Sequence, residues 1–85
     1  MPSHTRHVKI NPDGPVPIYR QIAGIIRDRI TSGEYQPGTA VPSLERIRQE
    51  TGSDVKTIQQ AIRILIAEGL VEVISGKGTF VVERK

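Results

Sequence analysis

Lys56, Gln59, Gln60 and Arg63 fall on a single face if their segment turns at about 100° per residue, as an α-helix does. A glutamine amide offers a donor and an acceptor side by side, a fork that fits adenine N6 and N7. A lysine ammonium donates to guanine O6 or N7, or to a phosphate. Gln59 and Gln60 are therefore candidate base readers, and Lys56 a base or phosphate contact. Thr57 suits a phosphate or a thymine methyl, and Arg63, further along the helix, a phosphate. Gly76-Lys77-Gly78 forms a second cluster. Its glycines allow close backbone approach to a narrow groove, and its lysine adds a cation there. A third cluster holds Ser43, Arg46 and Arg48. Ser43 suits a helix N-cap, and the N–H groups of that helix end can also hold a phosphate. Arg46 and Arg48 are candidate backbone contacts, Arg46 also lying within reach of a base. Glu45 between them is repulsive to phosphate unless it accepts from cytosine N4 or pairs with an arginine. The plain alternative for each cluster is a solvated surface.

These groups need elements to hold them. A first helix is expected from about Pro17 to Ser32, with Ile18, Ile22, Ile25, Ile26 and Ile30 on its core stripe. Pro17 suits its first turn and Gly33 its end. Arg20, Arg27, Asp28 and Arg29 are assigned to positions off that stripe. Pro37-Gly38 marks a turn, and Ala40-Val41 a very short strand. A second helix follows Ser43, with Leu44 and Ile47 inward, and ends near Thr51-Gly52. Gly52 permits the tight turn of a helix-turn-helix. A third helix runs from Asp54 to about Glu68, capped by Asp54 or by Ser53, and Ser53 also joins the candidate contacts. Its buried stripe is Ile58, Ala61, Ile62, Leu65 and Ile66. Val71 to Ser75 and Thr79 to Val82 form a hairpin around the glycine-flanked lysine. Tyr19 and Tyr35 are placed at the edge of the core, and Phe80 within it. The fold class is mainly α with a small β-hairpin (α+β): three helices and a two- to three-stranded antiparallel wing.

Composition bounds the rest. The 85 residues suffice for one small domain. A net charge of +3 and a pI of about 9.7 fit an anionic partner. With no cysteine there is no disulfide framework and no thiolate metal site, a usage that suits a reducing cytoplasm. His4 and His7 lack companion ligands, so no metal or cofactor is expected. No nucleophile–base pair or phosphate-cradling loop marks an enzyme. There is no long apolar run for a membrane span or a signal peptide. Aromatic residues are too few for a base-stacking platform, which turns the reading away from single strands. Residues 1–15 are assigned to a loose arm, in which Val8-Lys9-Ile10 is a brief candidate strand and Arg6 and Lys9 candidate phosphate contacts. Residues 16–83 form the domain and 84–85 a tail.

Several stretches resemble the N-terminal domain of the GntR family of bacterial transcription regulators. They are Pro17-Ile18-Tyr19-Arg20-Gln21-Ile22, Gly33-Glu34-Tyr35-Gln36-Pro37-Gly38, Val41-Pro42-Ser43, Thr57 to Ile62, Glu68-Gly69-Leu70-Val71 and Gly76-Lys77-Gly78-Thr79-Phe80-Val81. The resemblance is collinear from Val16 to Val82 and is nearer the HutC-like and YtrA-like branches than the FadR-like one. It implies a winged helix-turn-helix with helix 54–68 in the major groove and wing 75–79 in the minor groove. It further implies a homodimer on a pseudo-palindromic double-stranded operator, and a cytoplasmic, nucleoid-associated regulator that commonly represses. An effector would bind only through a C-terminal domain absent here, so the chain is a fragment or a short stand-alone regulator. Three positions that commonly hold arginine in the family hold Glu45, Val55 and Gln59 in this chain. The family's operator preference is accordingly not transferred. The alternative to DNA reading is a winged-helix protein–protein interaction module.

Overall fold

The computed structural model describes residues 10–83. Arg6, Val8, Lys9 and the two histidines lie outside that range. Ile10 is in no strand and packs partly against the core.

Among the described residues the order is α1 (Ile18–Thr31), α2 (Leu44–Thr51), α3 (Val55–Ala67), β1 (Val71–Ile74) and β2 (Gly78–Val81). Pro17 is the N-cap of α1, one residue outside the turn expected for it, and its carbonyl accepts from the N–H groups of Arg20 and Gln21 at 3.0 and 3.1 Å. Gln21 ties the preceding segment down. Its Oε1 accepts from the Asn11 N–H, and its Nε2 donates to the carbonyls of Asn11 and Val16, each at 2.8 Å. Past the end of α1, Gly33 takes φ +90°, where a side chain would be strained.

The core joins Ile22, Ala23 and Ile26 of α1 to Ile58, Ala61, Ile62 and Leu65 of α3, with Ile47 of α2 and Val41, Val71 and Val81 closing it. The α1 and α3 positions follow helical periodicity, and burying each large side chain of the core contributes about 1.5–3 kcal/mol. Ile66, expected in this stripe, is instead 41% exposed. It lies about 80° around the helix from Ile58, on the side of the wing, where the four-residue strands are too short to cover it.

Arg29 departs from expectation in the other direction. Its charge argues for a position off the stripe, yet it is 9% exposed. Its angular position lies at the centre of the apolar stripe, within about 20° of Ile22, so the helix carries its charge inward. Nη1 donates to Glu50 Oε1 and to the Tyr35 hydroxyl, both at 2.7 Å. The guanidinium also lies 5.8 Å from the Tyr35 ring centroid. Burial opposes the charge on Arg29, but the bonds to Glu50 and Tyr35 outweigh it and hold its pKa above the ordinary value. Glu50 is 6% exposed, and its Oε2 stands 3.7 Å from Arg46 Nε. No buried side-chain polar atom lacks a partner among the described residues. Tyr35 thus sits at the core edge as expected.

β1 and β2 pair antiparallel, Val71 with Val81 and Ile74 with Gly78. The short segment after the Pro37-Gly38 turn adds a third strip. Ala40 bridges Phe80, and Val41 N–H bonds the Thr79 carbonyl at 2.9 Å. β2 is therefore central. Phe80 was expected in the core but is only half-buried and is not part of the core cluster. Strand alternation turns Val81 inward and Phe80 to the other face.

Two predictions follow from these contacts. Glu50→Ala strands the Arg29 charge in a nearly dry site, so it should cost about 3–5 kcal/mol in urea unfolding; a loss under about 1 kcal/mol would mean that water compensates the charge. The Asp54 carboxyl, which caps α3, is held below its ordinary value of 3.8 by hydrogen bonds from the Thr57 side chain and N–H. A lowered folded-state pKa gives stability that is present above the unfolded value and lost as pH falls through the folded one. Asp54→Asn keeps a cap but does not titrate, so its stability should fall less steeply on acidification below about pH 4. Parallel acid-unfolding slopes for the two proteins would refute this.

Candidate nucleic-acid interface

The turn between α2 and α3 fixes how α3 is presented. Gly52 ends α2 at φ 75°, and its N–H bonds the Arg48 carbonyl at 2.8 Å. A Cβ at Gly52 would meet nothing within 4 Å, so the demand for glycine is conformational and not steric. Thr51 Oγ1 donates to the Ile47 carbonyl at 2.9 Å and accepts from the Ser53 N–H at 3.2 Å. Asp54, not Ser53, is the N-cap of α3, its carboxylate accepting from Thr57 N–H at 2.9 Å. Ser53 is half-buried in the turn.

From this start α3 exposes Lys56, Gln59, Gln60 and Arg63, which together line one shallow surface depression. Lys56 and Arg63 form no ion pair within 4 Å among the described residues, so both cations face outward, Lys56 attracted only at longer range by the Asp54 carboxylate. Thr57 is half-buried and engaged with Asp54. It lies about 100° from Lys56 around the helix and off the exposed face.

The arginines of α2 are in a different state. Arg48 grips Glu45 through Nε at 3.2 Å and Nη2 at 2.7 Å. The hydrogen bond from Arg48 holds the Glu45 carboxyl below the ordinary range, and the Arg48 guanidinium correspondingly above its own. Arg46, 61% exposed at its side chain, leans toward Glu50. Glu45 is thus answered by the neighbouring arginine, one of the two ways the sequence left open. Ser43 caps α2 by accepting from Arg46 N–H at 3.2 Å.

The wing turn spans Ser75, Gly76 and Lys77, with Lys77 N–H on the Ile74 carbonyl at 2.9 Å. Gly76 and Gly78 take φ +77° and +121°, conformations that make glycine the fitting residue on both sides of Lys77. Lys77 is exposed and, among the described residues, has no carboxylate within 4 Å. Ser43, Lys77 and Gly78 line a common cleft between the start of α2 and the wing, floored by Leu44 and Ile62. Residues from separate sequence clusters are thereby brought to one place: the α2 N-terminus, with its free N–H groups, and a lysine. The face of α3 lies alongside, joined by a second groove that runs past Gln59, Arg63 and Ile66 to Val73.

Sequence reasoning missed the buried Arg29–Glu50 pair and the exposed bidentate pair between Arg27 and Glu68, at 2.9 and 2.7 Å. Periodicity carried a signal for the first. Glu50 follows Ile47 by three residues, close to the inward side of α2. The second pair joins the body of α1 to the C-cap of α3 and has no local signature.

Among known proteins, the family described as bacterial regulatory proteins, gntR family, matches residues 18–81. The mannosyl-D-glycerate transport/metabolism system repressor MngR of Escherichia coli K12 is 42% identical over 72 residues, 85% of this chain and 30% of its own length. The histidine utilization repressor of Pseudomonas putida is 38% identical over 86% of this chain and 29% of its own length. The chain therefore spans about three tenths of these two curated relatives. Among solved structures, AraR(DBD) in complex with operator ORX1 is similar with a TM-score of 0.79 and 30% identity, over 91% of this chain and 99% of that one. The resemblance drawn from the sequence motifs and the helix–wing architecture agree with these findings, and the chain belongs to the gntR family of bacterial regulatory proteins.

Proposed function

We propose that the chain is the sequence-specific, double-stranded-DNA-binding domain of a transcription regulator acting as a repressor. The carrying observation is the exposed face of α3, where two cations outside any close ion pair flank two glutamine amides beside a wing whose turn carries a third such cation. Cations position the protein on phosphates, while amide forks read base edges. In this reading α3 enters the major groove, Gln59 and Gln60 face bases, Lys56 faces a base or a phosphate, and Arg63 follows the backbone. Lys77 and its glycines approach the minor groove. The cleft between Ser43 and Lys77 receives a phosphate of the strand between the grooves. Arg46 and Arg48 serve the backbone only by sharing themselves between phosphate and their glutamates. The family match, two relatives named as repressors and the operator-bound AraR(DBD) neighbour support this reading. They give no support to a protein-interaction module.

Two copies bind as a homodimer on a two-fold-related pseudo-palindrome, with residues 16–83 as the reading unit. Effector control belongs to chain beyond this unit, consistent with the small share of each curated relative that it spans. The site of action is the bacterial nucleoid in the cytoplasm. No described helix is long and apolar enough to cross a membrane.

Selection of bound duplexes from a random pool, followed by affinity at two salt concentrations, tests the whole reading. A two-fold symmetric consensus bound with a steep salt dependence is expected; a pool without enrichment would refute sequence-specific reading. If Lys56 contacts a phosphate, Lys56→Ala should weaken all sequences alike and lower the salt slope by about one. Gln59→Ala should relax preference at one position of each half-site, by about 1–3 kcal/mol for a bidentate contact. An unchanged preference profile would remove Gln59 from the set of base readers.

A further inference from the structure

α3 opens with a side chain that neither core nor helix requires. Val55 is its first residue and is 39% exposed. It belongs neither to the buried cluster nor to the apolar side chains packed around that cluster. A β-branched residue also loses rotamer freedom in a helix, so propensity does not favour it at a solvated first turn. Its neighbours are the polar reading groups. Gln59 is one turn further on, about 40° around the axis, with Cβ atoms about 5–6 Å apart. Lys56, adjacent in sequence, is an outward cation with no carboxylate within 4 Å among the described residues. An isopropyl group thus stands where the row of Ile62 and Ile66, each within about 20° of it, borders the face of amide forks and cations.

Resting on the assignment of α3 to the major groove, we infer that Val55 is a specificity determinant that selects thymine by burying its 5-methyl group. Thymine is the base whose major-groove edge carries an apolar substituent. Valine has no donor or acceptor for the other base edges. Pressed against cytosine N4 or adenine N6, it leaves a desolvated N–H without a partner, which is costly. Its preference therefore has an attractive part for thymine and a repulsive part against those bases. The geometry sets the thymine within one or two base pairs of the base that Gln59 reads. Thr57, whose type also suits a thymine methyl, is half-buried, which leaves Val55 the more exposed methyl-bearing side chain at this end of α3.

The test uses the full chain and the duplex that wins selection from a random pool. Each thymine is replaced in turn by deoxyuridine, which differs only in lacking the methyl. At one thymine per half-site the replacement should weaken binding roughly fourfold, the worth of one buried methyl group. Val55→Ala should bind the two duplexes within about twofold of each other, while Gln59, its amide fork intact, should still favour the same base. Val55→Thr, close in shape and retaining one methyl, should fall between. Thermal melts check that both variants fold, as expected for a side chain outside the core. The inference is overturned by equal affinity at every thymine, by a selected site without thymine near the Gln59 base, or by an undiminished thymine-to-deoxyuridine ratio in Val55→Ala. A pool with no enriched sequence would instead bring down the major-groove reading itself.

Discussion

The Arg29–Glu50 pair is the constraint on which the rest of the interface depends. It crosses from the last turn of α1 to the last turn of α2 through a nearly dry space, and it is the buried charge contact between those helices among the described residues. α2 is short and contributes one fully buried apolar side chain, Ile47. Eight residues are too few for a helix to persist on its own propensity. Its docking therefore relies on Ile47 and Leu44 packed on the core together with the ion pair, Tyr35 completing the hydrogen bonds of the guanidinium. A buried pair of this kind adds less net stability than its Coulomb attraction implies, because both ions give up water. Its strength lies in direction. An apolar contact tolerates sliding, whereas a 2.7 Å bond to one carboxylate oxygen fixes one angle. That angle sets where α2 ends, where Gly52 turns the chain and where α3 begins.

Charge follows from the same arrangement. On α2, Glu45 and Glu50 occupy Arg48 and Arg46, so the helix presents little net charge outward. On α3 and the wing, Lys56, Arg63 and Lys77 have no such partners among the described residues. Lys56, Arg63 and Lys77 consequently place outward positive charge on the side that carries the amide forks. An anionic partner drawn by that field meets α3 and the wing before it meets α2.

Most of the fold was legible in the sequence because its signals are local. Pro17, Ser43, Asp54, Gly33 and Gly52 mark helix ends through the conformations or bonds their side chains allow. Ile22, Ile26, Ile58 and Leu65 mark the core by period. Reasoning failed where residue type and position disagreed. Arg29 occupies a core angle but was judged by its charge; Ile66 and Phe80 are apolar but occupy edges that short strands leave open. The exposed α3 face was legible for the same reason as the core, since it is the complement of the buried stripe. The cleft that joins Ser43 to Lys77 was not, because it depends on a bridge between Ala40 and Phe80 that no local pattern encodes.

The order of the three-strip sheet has a consequence for solubility. β2 is paired on both sides, by Ala40's segment and by β1, while β1 has β2 as its sole partner among the described residues. β1 is thus an open edge, and it carries Val73 and Ile74, 62% and 38% exposed. An apolar open edge is a template for strand addition between copies. Two features hold that tendency in check: the strand is four residues long, and Glu72 places a carboxylate on the edge, on the same face as Ile74. Shortness and a charged side chain are the devices by which an open edge discourages pairing with another copy, so the wing stays a two-strand projection and not a seed for a larger sheet.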